Sequence, residues 1–207
     1  MITVINHPLI NIKLTKMRQE NTTHSEFRSN LNEIASLMVY EIMRNYQPRN
    51  IKITTALKSE YIGYAYDKEI VIIPILRAGL GMVDGIVNLI PQARVGHIGM
   101  YRNEGTEQVT EYFYKIPNVS LDSKMIVVDP MLATGTSASD AITKLESQGF
   151  KDITLVCLVG VEKGIKKIRS MHPNVDIFLA AQDDYLDENN YIRPGLGDAG
   201  DRIFGTK

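Results

Sequence analysis

Apolar positions along this chain change their period partway through. From Thr23 to Tyr46 they fall at Phe27, Leu31, Ile34, Met38 and Ile42, steps of three and four that lay one apolar stripe along a helix. Thr23-His24-Ser25-Glu26 at its start is a capping-box pattern, and Pro48 forbids its continuation. Residues 51–66, IKITTALKSEYIGYAY, are rich in Ile, Thr and Tyr around a glycine and predict a two-stranded arm. From residue 70 the rhythm becomes short runs rich in Val and Ile: IVIIPI (70–75), RVGHIGM (94–100), KMIVVD (124–129), ITLVCLV (153–159) and VDIFLA (175–180). Apolarity without alternation is what strands covered on both faces require. These runs predict an α/β fold with a mainly parallel sheet, covered by helices over about 79–89, 136–148 and 161–171. Residues 101–123 break the rhythm with a long polar and aromatic stretch, and residues 182–207 read as an irregular cap over the sheet.

Composition narrows the classes. With 207 residues, 44% hydrophobic, the chain has room for one sizeable core. Its 24 acids against 23 Lys plus Arg leave no cationic surplus for binding nucleic-acid phosphates, so no nucleic-acid partner is expected. A lone cysteine, Cys157, excludes an intramolecular disulfide and a multi-thiolate metal site and fits a reducing compartment. The first twenty residues scatter charge among apolar ones, and no apolar run reaches the ~20 residues of a spanning helix. A cytoplasmic protein with no membrane partner is expected.

The stretch 124–145, KMIVVDPMLATGTSASDAITKL, is the most chemically suggestive. A buried strand ends in Asp129, a short loop follows, and Thr134-Gly135-Thr136-Ser137 leads into a helix. Gly135 lets the backbone approach a ligand, three hydroxyls donate, and free N–H groups at a helix start favour an anion. That pattern suits a sugar 5′-phosphate. Asp129, at the carboxyl end of its strand, is placed to accept hydrogen bonds from ribose hydroxyls.

VVDPMLATGTS (127–137) resembles the phosphoribosyl-diphosphate (PRPP) loop of phosphoribosyltransferases, specifically that of the uracil phosphoribosyltransferase family. PILRAGLGM (74–82), GMYRNE (99–104) and YIRPGLGDAGDRIFGT (191–206) are similar to further motifs of that family. The resemblance implies a phosphoribosyltransferase-type five-stranded sheet, with an N-terminal helix and arm (1–69), a PRPP-binding core (70–181) and a base-binding hood (182–207). It implies the reaction uracil plus PRPP to UMP plus diphosphate, with Mg2+ as cofactor, a homodimer or larger homo-oligomer, and in some members activation by GTP.

By the same resemblance Arg77 and Arg102 are diphosphate ligands, and a guanidinium's paired permanent donors suit a departing diphosphate. Asp129, Pro130, Met131, Leu132, Ala133, Thr134, Gly135, Thr136 and Ser137 are implied to hold the ribose phosphate. Asp198 is implied to reach PRPP, near its Mg2+, with a direct side-chain metal ligand not expected. Ile192, Gly197, Asp198 and Ala199 are implied to meet uracil. The glycine-rich run PGLGDAG contains G-x-G-x-x-G, but too few residues follow for a dinucleotide-binding unit. The chain departs from the family in TGTS, where Thr-Gly-Gly-Ser is more common, and between Glu104 and Tyr112.

Other features have plainer readings. None of His7, His24, His97 and His172 lies in these motifs, so none is assigned to catalysis. Cys157 reads as a core residue. In KGIKKIR (163–169), Ile165 and Ile168 share an apolar face with Val161, leaving Lys163, Lys166 and Lys167 to solvent. Asp183, Asp184, Asp187 and Glu188 read as a solvated tail. The rival function is a PRPP-sensing, RNA-binding regulator of pyrimidine genes on the same fold, which would share the cradle but has no need of the GLGDAGD hood. A second rival is transfer to another base; orotate would call for a cation in the hood, for which only Arg193 is a candidate.

Overall fold

The computed structural model of the chain describes residues 1–102 and 109–206. In chain order its elements are β1 (Ile2–Val4), α1 (Pro8–Arg18), α2 (His24–Ile42), β2 (Arg49–Thr54), β3 (Glu60–Ala65), β4 (Ile70–Leu76) and α3 (Leu80–Val87). Then come β5 (Arg94–Val95), β6 (His97–Arg102), β7 (Val109–Lys115), β8 (Lys124–Val128), β9 (Met131–Leu132), α4 (Thr136–Ser147) and β10 (Ile153–Val161). The last are α5 (Glu162–Met171), β11 (Asp176–Asp183), β12 (Tyr185–Leu186), β13 (Ile192–Arg193) and α6 (Ala199–Phe204).

Among the described residues, β1, β11, β10, β8, β4, β6 and β7 lie side by side in that order, with β5 paired to β4 and β9 to β10. The five predicted runs are all among its parallel strands, the second divided into β5 and β6. Two edge strands were not foreseen: β1, parallel to β11, and β7, antiparallel to β6. β7 comes out of the stretch expected to be irregular, and its sequence VTEYFYK is rich in the β-branched and aromatic residues that fit a pleated surface.

Every residue of β10 is buried, and its side chains alternate between two helical layers. Val156 and Leu158 pack with α1, α2, α3 and α6, while Leu155 and Cys157 pack with α4 and α5. The capping box of α2 forms as read: Thr23 Oγ1 accepts from Glu26 N–H at 3.2 Å, and Glu26 Oε2 from Thr23 N–H at 3.0 Å. Phe27, Leu31, Ile34 and Met38 are fully buried beneath it, each worth roughly 1.5–3 kcal/mol of apolar burial. The helix ends at Ile42 rather than Tyr46. Helix α1 was missed, although Ile10, Leu14 and Met17 are buried at helical spacing. The predicted arm is the antiparallel pair β2–β3. Among the described residues no helix is long and apolar enough to cross a membrane.

Candidate active site

Strand order reverses between β4 and β8: the chain leaves β4 toward β6 and β7 on one side, and β8 toward β10 and β11 on the other. Ligands collect outside the carboxyl ends of parallel strands at such a point. Pro74 pairs with Val128 and Leu76 with Gly99, so the ends of β4, β8 and β6 open onto one edge. Arg77 follows β4, Asp129 follows β8, and β6 ends at Arg102. The sheet thus brings the backbones of these three predicted residues together; the Arg102 side chain lies outside the described part.

Asp129 is half-buried, and its Oδ1 accepts from Met131 N–H at 3.3 Å. Burial pushes its carboxyl up to about 7, a rise that the Met131 N–H only partly opposes. The chain beyond it is not a free loop, as the sequence suggested. Met131–Leu132 pairs with Val159–Gly160 of β10, and Pro130 C=O accepts from Leu158 and Val159 N–H, both at 3.0 Å. Leu132 is buried in the core, so only its backbone is available to a ligand.

Gly135 takes φ +76°, which a side chain would oppose, and turns the chain into α4. A Cβ on it would lie 3.0 Å from Gly164 C=O, and a Cβ on Gly164 would lie 2.6 Å from Ala133 C=O. Two glycines therefore let the loop rest directly on the first turn of α5. Thr134 and Thr136 hydroxyls are 3.2 Å apart. Lys167 of α5, expected to face solvent, donates instead to Thr136 Oγ1 at 2.8 Å.

The predicted hood is ordered rather than irregular. Tyr185–Leu186 pairs with Ile192–Arg193, and Asp187 caps the hairpin: Oδ1 accepts from Asn189 and Tyr191 N–H, both at 2.9 Å, and Oδ2 from Arg193 Nε at 2.8 Å. These bonds hold the Asp187 carboxyl below the usual carboxylate range. Asp187 is thus no solvated tail residue, and Arg193, the one cation considered for orotate, is engaged by it. Asp183 is 7% exposed and takes both guanidinium nitrogens of Arg18, at 2.5 and 2.8 Å. Arg18 also donates to Gly195 C=O at 2.6 Å. Arg202 completes the tie, with Nη1 donating to Met17 and Leu196 C=O and Nη2 to Gln19 C=O, while its guanidinium lies 4.7 Å from the Phe27 ring centroid.

Of the residues implied to meet uracil, Ile192 and Ala199 are buried and Gly197 and Asp198 exposed. Asp198 caps α6, its Oδ1 accepting from Asp201 N–H at 2.9 Å. Arg77, 57% exposed, reaches toward the same turn: Nη2 lies 3.7 Å from Asp201 Oδ1, and the guanidinium 5.6 Å from the Phe204 ring centroid. Among the described residues no three His, Cys, Asp or Glu side chains converge as a metal cage. Asp201 is the carboxylate beside Arg77, while Asp129 follows β8 and Asp198 caps α6.

Two of the four histidines, His7 and His172, have structural partners. His7 caps α1, accepting from Leu9 N–H at 3.2 Å. His172 joins α5 to α4, with Nε2 3.0 Å from Ser139 Oγ and Nδ1 2.8 Å from Glu146 Oε2. This Ser-His-carboxylate chain has the connectivity of a hydrolase triad, but Ser139 is fully buried. Sequence reasoning missed Arg18, Gly164, Lys167, Asp183 and Arg202. For Arg18 and Asp183 no local signal existed, since their meaning depends on a partner 165 residues away.

Comparison with known proteins agrees with this architecture. The profile of the family described as "Uracil phosphoribosyltransferase" matches residues 4–206. A protein of that name from Metamycoplasma hominis is 65% identical over 207 residues, covering 100% of this chain and 99% of the relative. Another from Mycoplasma mobile is 64% identical over 207 residues, covering 100% of both. The solved structure of a protein from Aquifex aeolicus superposes with TM-score 0.93 at 32% identity, over 100% of this chain and 99% of that one. Adenine phosphoribosyl transferase from Trypanosoma brucei, at 12% identity and TM-score 0.60, covers 91% of this chain and 87% of its own, and shares the fold. Matched along nearly its whole length by the family profile and by relatives of equal length, the chain belongs to the uracil phosphoribosyltransferase family.

Proposed function

We propose that this pentosyltransferase joins uracil to PRPP at the edge where β4, β6 and β8 end, releasing UMP and diphosphate. Uracil N1 attacks C1′ of the ribose, the bond from C1′ to the diphosphate oxygen breaks, and the N1 proton is lost. Positioning and leaving-group electrostatics then carry the rate. The observation that carries this reading is the convergence on one edge of Arg77, Asp129 and the loop 134–137, with the α6 turn of the hood against Arg77.

In this reading Thr134, Thr136, Ser137 and the first backbone N–H groups of α4 hold the 5′-phosphate. Pro130, Met131, Leu132 and Ala133 contribute through the backbone that shapes the cradle. Asp129, as carboxylate, accepts from the ribose hydroxyls. Arg77 and Arg102 take the negative charge of the departing diphosphate. Backbone groups about Ile192, Gly197 and Ala199 match uracil's carbonyls and N3–H, and a site built this way rejects a mismatched base by roughly 10⁴. Asp198 stands beside the diphosphate and is one candidate to receive the N1 proton.

Mg2+ fits as an ion that arrives on the diphosphate, because the hard oxygen donors Asp129, Asp198 and Asp201 form no cage among the described residues. When bound it neutralises charge on the leaving group. A cytoplasmic setting agrees with Cys157, buried and free. A homo-oligomer is supported by the arm, where Tyr61, Ile62 and Tyr64 are 55%, 58% and 70% exposed beside a concavity of about 570 Å³ at its base. Light scattering tests that state.

The activity test mixes protein, Mg2+ and PRPP with uracil, cytosine, orotate or hypoxanthine and follows nucleotide formation. UMP from uracil alone is expected; no UMP, or faster reaction with another base, overturns the reading. Omitting Mg2+ should abolish turnover, and adding GTP tests the activation that resemblance implies.

A further inference from the structure

Lys167 lies outside every motif that resembles the family, on a helix whose other cations behave as surface charges. Lys166, one residue earlier, is 73% exposed and paired with Glu162 at 3.1 Å. Lys167 is half-buried, and its ammonium is held by the Thr136 hydroxyl at 2.8 Å. Among the described residues it has no carboxylate partner within ion-pair distance, so its charge remains available at the mouth of the loop.

The approach is built into the fold. Gly164 lies one turn before Lys167 on α5, and its contact with Ala133 and Gly135 brings the helix onto the loop closely enough for a lysine to reach over it. Thr136 is the first residue of α4; its N–H donates to Thr134 Oγ1 at 3.5 Å, and the Gly135 cap offers no side chain to the N–H groups that follow. A hydroxyl has one proton and two acceptor positions. With one acceptor position taken by the ammonium, the Thr136 O–H points away from it, toward Thr134 Oγ1 at 3.2 Å, where either hydroxyl can donate, or outward to a ligand oxygen.

We infer that Lys167 is a positioning residue of the 5′-phosphate site, fixing the Thr136 hydroxyl as a donor and adding a cation to a cradle otherwise made of neutral donors. Thr136 and Lys167 act as a pair, and the threonine that makes this loop unlike the commoner Thr-Gly-Gly-Ser supplies the only side chain through which the lysine reaches the loop among the described residues. The inference rests on the phosphate-cradle reading of residues 134–137.

The test compares Lys167→Met, Lys167→Arg, Thr136→Val, the Lys167→Met/Thr136→Val double variant and, as a surface control, Lys166→Met. Calorimetry with ribose 5-phosphate measures cradle affinity without uracil or turnover. Steady-state kinetics then separate KM for PRPP from kcat. Lys167→Met should weaken ribose 5-phosphate binding and raise KM for PRPP by about fivefold, the scale of a charge-assisted bond at a half-exposed site, with kcat and KM for uracil within twofold. The loss should shrink as salt is raised, Lys167→Arg should restore most of the affinity, and the double variant should bind no worse than Thr136→Val by more than the salt-sensitive part. Unchanged affinity in Lys167→Met, or an equal loss for unphosphorylated ribose or in Lys166→Met, overturns the inference. Ribose 5-phosphate binding that depends on Lys167 in a protein making no UMP would sustain this inference while sinking the uracil assignment; no ribose 5-phosphate binding by the parent protein sinks both.

Discussion

Arg18 and Asp183 form a two-pronged ion pair that fastens the end of α1 to the end of β11, with contacts of 2.5 and 2.8 Å. Asp183 Oδ2 also accepts from Gly195 N–H at 3.0 Å, so the same pair fixes the start of the glycine-rich turn. The Asp183 side chain is only 4% exposed and that of Arg18 24%. Removing Arg18 therefore strands a buried carboxylate. Arg18→Ala should lower stability by about 2–4 kcal/mol, read by thermal or denaturant unfolding, and raise KM for uracil more than KM for PRPP. Equal changes in both would show that the pair does not act through the hood.

Asp129 makes stability and function oppose each other. Its carboxyl is raised to about 7 by burial, against an unfolded value near 4. A carboxyl raised on folding contributes stability that is complete below about pH 4, declines as pH rises, and is gone above about 7. Asp129→Asn should abolish that decline and make the protein more stable than the parent at pH 8, while cutting turnover about 100-fold. Parent affinity for ribose 5-phosphate should gain a component across pH 6–8 that the variant lacks. A variant less stable than the parent at pH 8 would contradict the burial account.

Of the polar contacts between α4 and α5, the His172 chain is the most buried. His172→Ala leaves Ser139, fully enclosed, without its ring partner. A loss of about 1–3 kcal/mol in unfolding free energy is expected, with kcat and both KM values within twofold. A large fall in kcat would instead assign the histidine to the chemistry.

Gly164→Ala probes the seat of the 134–137 loop, proposed to hold the 5′-phosphate. Its Cβ would lie 2.6 Å from Ala133 C=O and 2.9 Å from Leu132 C=O, backbone atoms that move only if the loop moves. The variant should lose about 1–3 kcal/mol of stability and bind PRPP at least about tenfold more weakly, with uracil affinity little changed. Unaltered PRPP affinity would mean the loop tolerates displacement.

What could be read in advance followed local physics. The buried strands and α2 announce themselves because burial on two faces, or on one helical stripe, imposes a period that neighbouring residues share. Asp129 and the 134–137 turn were legible for a related reason, since strand end, glycine and helix start are consecutive. β7 was hidden because an edge strand buries one face only, and Tyr112 and Phe113 remain half exposed to water. Asp183 and Asp187 were misread because acids in a glycine-rich tail look solvated until their cations are known. Arg18 is one such cation, far along the chain; Arg193 is the other, and its pairing depends on a hairpin only two residues deep on each side. Lys167 sits where helical periodicity says outward, which is true of its Cα and not of its ammonium.

The two arginine ties between chain ends also set an order of assembly. Arg202 binds the carbonyls of Met17 and Gln19 across 185 and 183 residues, whereas the 134–137 loop and the α5 turn that seats it lie within about three dozen residues of one another. A chain emerging from the ribosome holds every part of that loop well before α1 meets its anchor. Late in synthesis the nascent protein therefore has the 134–137 turn formed before the C-terminal segment is tied down. Nonsense or frameshift products ending before residue 183 lack the partners of both arginine ties, and their N-terminal helix should be loose, exposing the buried faces of Ile10, Leu14 and Met17 to proteases and chaperones.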